Sequence, residues 1–127
     1  MKASEILNKA ASDVLAERER QKTVEGWTPE HDDTHERGEM ARAAACYAYF
    51  ATLPEAVREV ASLDGSSAID QVVVLRRMWR SHQDWWKPKD RRRDLVRAGA
   101  LILAEIERID RQAASLARER EGSHEGK

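Results

Sequence analysis

A chain of 127 residues, 35% of them charged, against a typical share of roughly 25%, is long enough for one real core, but suits a thin helical bundle or an oligomer better than a thick-cored α/β domain. The formal net charge of −1 excludes a global attraction to nucleic acid or an anionic membrane, and no apolar run approaches the ~18 residues of a membrane span. The single cysteine, Cys46, excludes an internal disulfide and suits a reducing compartment, so with no apolar leader in Met1-Lys2-Ala3-Ser4-Glu5 the expected location is cytoplasmic.

In chain order, residues 3–22 predict a first helix, starting near Ala3 or Ser4, with Ile6, Leu7, Ala10, Ala11, Val14 and Leu15 as its apolar stripe. Glu25-Gly26 ends it, and residues 26–34 read as a loop with Pro29 and an Asp32-Asp33-Thr34 turn signal. Thr34 is the expected cap of a second helix over about 35–51, whose Ala-rich circumference marks it as the central, most buried element. Pro54 opens a short helix to about Leu63, and Asp64-Gly65-Ser66-Ser67 is a loop. Residues 68–79 are ambiguous, with a short irregular or extended segment near 70–76 as one reading and helix as the favoured one. The last helix starts near Asp90 after Pro88, with Leu95, Ala98, Gly99, Ile102, Ile106 and Ile109 as its stripe and Glu107–Arg111 paired on the outside. The fold class is thus all-α: a compact bundle of four to five helices spanning 1–117, followed by a disordered charged tail, 118–127.

Two segments concentrate Trp, Pro and charge just ahead of helical runs: Glu25–His35, with two histidines, and Trp85–Asp94. From Glu17 to Glu39 eight acids face four bases, and from Arg76 to Arg97 nine bases face three acids. These halves can dock on each other or line one cleft. Arg91, Arg92 and Arg93 are the sharpest local conflict, because cations in a first helical turn oppose the dipole by about 0.3–1 kcal/mol each. A bound phosphate at that terminus reverses the penalty. Trp86 and Trp27 can then stack a base, Lys87 adds a phosphate contact, and Asp33 or His35 supplies ribose or base hydrogen bonds. The competing reading has the arginines paired with Asp32, Asp33 or Glu36, and the tryptophans plugging the core.

His31, His35, Glu36 and Glu39 are candidate metal ligands, although their spacing matches no strict motif; helix capping and solvated loop histidines are the favoured account of them. Glu36-x-x-Glu39 with Glu107-x-x-Asp110 resembles the carboxylate arrangement of helical nucleotide pyrophosphohydrolases of the MazG type, which implies magnesium or manganese and metal-dependent hydrolysis; without that activity no cofactor is expected. Cys46, within Ala43-Ala44-Ala45-Cys46-Tyr47, reads as a small core residue.

The strings Glu25-Gly-Trp-Thr-Pro-Glu-His-Asp-Asp-x-His35, Gly38-Glu-Met-Ala-x-Ala-Ala-Ala-Cys-Tyr-Ala48, Trp86-Lys-Pro and the run Arg92–Arg111 resemble a family of small phage and prophage proteins. That resemblance implies a setting, the host-cell cytoplasm, rather than a mechanism. Arg20, Gly26-Trp27, Asp32-Asp33, Met40 and Tyr47 also follow the order of the ryanodine-receptor-type repeat domain, with Pro29-Glu30 in place of its aromatic-glycine step. This second resemblance implies an adenine-nucleotide-like ligand. The expected function is therefore binding or sequestering a phosphorylated, nucleotide-like small molecule by a homo-oligomer, with countering host defence signalling as its use in a phage-type setting. Metal-dependent hydrolysis and inhibition of a host nuclease or other defence machine are the alternatives.

Overall fold

The computed structural model describes residues 8–34, 38–63 and 87–125, and every regular element among them is helical. They are α1 (Lys9–Thr23), the single-turn α2 (Pro29–Asp32), α3 (Glu39–Ala51), α4 (Glu55–Leu63) and α5 (Arg91–Glu125). The all-α bundle is what the chain forms. The Asp64–Ser67 loop, the ambiguous 68–79 stretch with its segment near 70–76, and Trp85 lie outside the described residues, as do His35, Glu36 and Trp86.

Helix α1 starts later than the sequence suggests. Asn8 holds an extended conformation and its side-chain oxygen accepts from the Ala11 N–H at 2.9 Å, so Asn8 caps this helix, while Ala3 and Ser4 lie outside the described residues. Its expected stripe is only partly buried: Ala11 and Val14 are half-buried, Ala10 and Leu15 are exposed, and Ile6 and Leu7 lie outside the described residues, while Glu17, Arg18 and Gln21 are buried. At the far end Gly26 takes φ +75°, and the Trp27 N–H returns to the Gln21 carbonyl at 2.9 Å. The chain reversal needs that left-handed residue.

The expected loop over 26–34 contains α2. Thr28 caps it through His31 N–H, and Pro29 occupies the first turn, where its missing N–H costs nothing. Asp32 is drawn inward because Arg18 reaches it at 2.7 Å. Thr34 does not cap the next helix; its hydroxyl donates to the His31 carbonyl at 2.7 Å. Helix α3 instead begins after Gly38, at φ +82°.

Helix α3 is the central element that its alanines predict. Ala43, Ala44, Cys46, Tyr47 and Phe50 form the apolar core with Ala98 and Leu101 of α5, flanked by Trp27, Ala48 and Leu53. Small side chains let the two backbones approach closely. Ala51 lies by Arg91 and Tyr47 by Arg97, so α3 and α5 run antiparallel. Burial pushes the Cys46 thiol up to about 11, which suits a packing role.

Helix α5 departs furthest from expectation. Asp90 caps it, its carboxylate accepting from Arg93 N–H at 2.9 Å. Of the predicted stripe only Ala98 is buried; Leu95, Ile102, Ile106 and Ile109 are 48–49% exposed. The helix turns Asp94, Arg97, Leu101, Ala104, Glu105 and Arg108 inward: Arg58 of α4 meets Asp94, Glu17 of α1 lies by Arg97, and Glu105 and Arg108 pair with each other. Glu107 does not pair with Arg111: Glu107 meets Arg18 at 3.2 Å, and Arg111 meets Asp33 at 2.7 Å. The helix also continues to Glu125, through most of the tail expected to be disordered from residue 118.

Candidate functional site

Glu17 is the hub of a buried polar cluster between α1, α3 and the start of α5. One of its carboxylate oxygens accepts from Arg20 Nε at 2.7 Å and from Arg93, and the other accepts from Arg20 at 3.0 Å and Gln21 Nε2 at 3.3 Å. Burial by itself would raise this carboxyl's pKa, but the Arg20 and Arg93 guanidiniums outweigh burial and hold it below the ordinary value. Arg97 lies 3.9 Å from the same carboxylate, stacks over the Tyr47 ring at 5.3 Å and donates to the Lys87 carbonyl. The Tyr47 hydroxyl accepts from Lys87 N–H at 3.0 Å, while burial pushes the phenol's pKa upward.

Beside this hub lies a cavity of about 250 Å³, walled by Glu17, Arg20, Gln21, Glu25, Trp27, Tyr47, Lys87 and Arg97. Three cations thus face two carboxylates. Gln21 is fully buried, yet its Oε1 accepts no hydrogen bond. A buried acceptor left without a donor costs about 1–3 kcal/mol, so this atom is where an outside donor gains most. A wider recess of about 450 Å³ shares the Glu17 and Arg20 wall and adds Asp13, Asp90, Arg92 and Arg93. A third recess of about 390 Å³ lies along α5, between Asp33, Arg108, Arg111 and Arg118.

The sequence-predicted residues are therefore distributed over separate places. Trp27 and Lys87 meet in the small cavity, Arg92 and Arg93 line the wider recess, and Asp33 faces the third. All three arginines have partners in the chain, though these are not Asp32 or Asp33, and Glu36 lies outside the described residues. Arg91 donates to the Ala51 and Leu53 carbonyls at 2.7 and 3.0 Å and lies 3.4 Å from Glu55; Arg92 pairs with Asp13 at 2.8 Å; Arg93 pairs with Glu17. Arg91 thereby satisfies carbonyls that the end of α3 leaves open. The dipole conflict at α5 is answered by carboxylates of the protein itself, including Asp90 and Asp94 in or before its first turn. Lys9 and Arg92 hold the Asp13 carboxyl below its ordinary pKa.

His31 lies near Asp32, and Glu39 opens α3. Among the described residues no three His, Cys, Asp or Glu side chains gather as a metal site. Sequence reasoning missed Glu17, Gln21 and Arg97. Their signal was spacing: Glu17 and Gln21 stand at i,i+4, and Arg97 lies one residue before Ala98 and four before Leu101 on the buried side of α5.

Comparison of the chain with family models, with curated proteins and with solved structures finds no match. Its function is argued from its own geometry. Among the described residues no helix is long and apolar enough to cross a membrane.

Proposed function

We propose that this protein binds, rather than transforms, a small phosphorylated, nucleotide-like ligand in the cavity beside Trp27. The observation that carries the reading is the buried Gln21 Oε1 without a donor, on a side chain that walls a cavity bordered by Arg20, Lys87 and Arg97. A base amino group would give that oxygen its hydrogen, the Trp27 face would stack the base, and Lys87 with Arg20 would meet phosphate oxygens. At about 250 Å³ the cavity lies just under the ~300 Å³ at the lower end of ligand pockets, so it suits the base, with the phosphates extending along the Arg20 wall. Arg91, Arg92 and Arg93 then act mainly by setting that wall through Glu17, Asp13 and α3. The resemblance to small phage proteins gives the proposal its setting: sequestering a nucleotide signal of host defence.

The test is a tryptophan-fluorescence titration with nucleoside monophosphates, diphosphates and cyclic dinucleotides, beside native mass spectrometry of the purified protein for a carried ligand. Lys87→Glu changes an exposed side chain and should weaken binding by at least about tenfold, as loss of a charge-assisted contact implies, with an unchanged melting temperature. Absence of any carried or titrated nucleotide would remove the reading.

A further inference from the structure

The exposed large apolar side chains of α5 are Leu95, Ile102, Ile106, Ile109 and Leu116, each 47–49% exposed. With Gly99 and Ala113 they fall at alternating steps of four and three residues, the spacing of a coiled-coil seam. Among the described residues α1 touches this line at Gly99, through Val14, while the five large side chains stay about half exposed. From Gln112 to Gly122 every residue except Ser115 is exposed. A bare helix end gains little from propensity alone; helices in proteins owe most of their stability to a packed apolar face.

We propose that this seam docks a second copy of the chain, antiparallel, along α5. Two arguments select a second copy and its direction. The first is volume. In a two-fold pair centred between Ile106 and Ile109, Ile106 of each copy faces Ile109 of the other, and each Ile102 faces Ala113, so large side chains oppose small ones. Gly99 lies at the edge of this contact, where α1 already packs: a Cβ there would stand 3.2 Å from both Val14 methyls. The overlap from Gly99 to Leu116 gives a contact about 26 Å long. The second argument is charge. The antiparallel pair sets Glu105 beside Gln112 and Leu103 beside Asp110, with no like charges opposed. A parallel, in-register pair sets Glu105 beside Asp110 of the second copy and stacks Ala113 on Ala113, leaving a void.

This interface is independent of the ligand cavity, which lies between α1, α3 and the start of α5. Sedimentation equilibrium of the full chain over a wide concentration range tests it directly. A dimer is expected, and Ile106→Asp or Ile109→Lys should each weaken it by about a hundredfold or more, since each change enters the seam twice. Both positions are exposed, and circular dichroism should show a folded bundle, with any loss of helicity no larger than the bare end of α5 accounts for. The double variant Ile106→Asp/Ile109→Lys sets opposite charges face to face only when the copies run antiparallel, and should recover at least tenfold of the loss. For the same reason, mixed Ile102→Cys and Ala113→Cys proteins should cross-link to each other, without competition from buried Cys46. A monomer at every concentration, or a dimer indifferent to both single variants, overturns the interface. Cross-linking of Ile102→Cys only to itself overturns the direction.

Discussion

Along α5, the side turned toward α1 and α3 carries Asp94, Arg97, Glu105 and Arg108 among Ala98, Leu101 and Ala104, while the side turned to solvent carries Leu95, Ile102, Ile106 and Ile109. Hydrophobicity alone would seat this helix the other way round. The difference teaches that partners decide which face is buried. Arg58 meets Asp94 at 2.7 Å, Arg18 meets Asp32 at 2.7 Å, and Glu17 gathers Arg20, Arg93 and Arg97. Asp94 and Arg97 of α5 and Arg18 of α1 find complements on other elements, whereas Glu105 and Arg108 pair within α5, so it is the cross-element ion pairs that help set the register of the bundle. Such pairs add little net stability relative to apolar residues, but losing one partner strands the other.

The comparison breaks most visibly at Asp94. Its carboxylate accepts from Arg58 and from the Lys89 N–H, each at 2.7 Å, and both it and Arg58 are buried. Asp94→Ala should cost about 3–5 kcal/mol, the loss expected when a buried cation is left unpaired, read as a lower urea midpoint. Replacing both partners, Arg58→Met with Asp94→Leu, should restore much of that loss. A single variant as stable as the parent would mean that the charged face is incidental. The exposed face predicts the reverse, since Ile106→Asp should leave the folded monomer within about 0.5 kcal/mol of the parent.

The same contrast explains what the sequence made legible. Helix content, the buried alanine face of α3, the short helix after Pro54 and the Asp90 start of α5 follow from local rules: periodicity, proline placement and capping. Which face of α1 and α5 is buried does not. Leu15 and Ile102 satisfy an apolar stripe, and Glu17 and Arg97 look like solvated charge, until the partners 76 residues apart in the Glu17–Arg93 bond are brought together. Long-range charge complementarity leaves no period in either helix. The candidate site was legible to the same extent: Trp27 and Lys87 were singled out by composition and do meet, whereas Gln21 and Arg97 complete their cavity through tertiary contacts alone.

Asp90 sharpens the comparison from the other side, being an exposed carboxylate four residues before the buried Asp94. Its work is local, a cap on Arg93 N–H, and Asp90→Ala should cost about 1 kcal/mol. Asp90→Asn should restore most of it, because the amide oxygen can still accept. A loss as large as that of Asp94→Ala would mean that Asp90 also holds the arginine cluster together.

The smallest effect is the most diagnostic of how the buried charges are tuned. Glu17 and Asp94 shift in opposite directions: guanidiniums pull Glu17 below its ordinary 4.5, while burial pushes Asp94 above its ordinary 3.8. For Glu17 the unfolded chain takes up the proton first as pH falls, so its stabilisation is present above about 4.5 and is lost on acidification through the folded value. For Asp94 the folded chain takes up the proton first, so its contribution rises as pH falls from the raised value toward about 3.8. The two slopes partly cancel in the parent. Glu17→Gln removes the first and leaves the second, so the variant, less stable near neutrality, should lose less stability than the parent on acidification. Urea midpoints measured from about pH 6 down to about pH 3.5 would show the two curves converging. Curves that stay parallel would mean that the arginines around Glu17 do not hold its proton affinity down, and that the hub is assembled by shape rather than by charge.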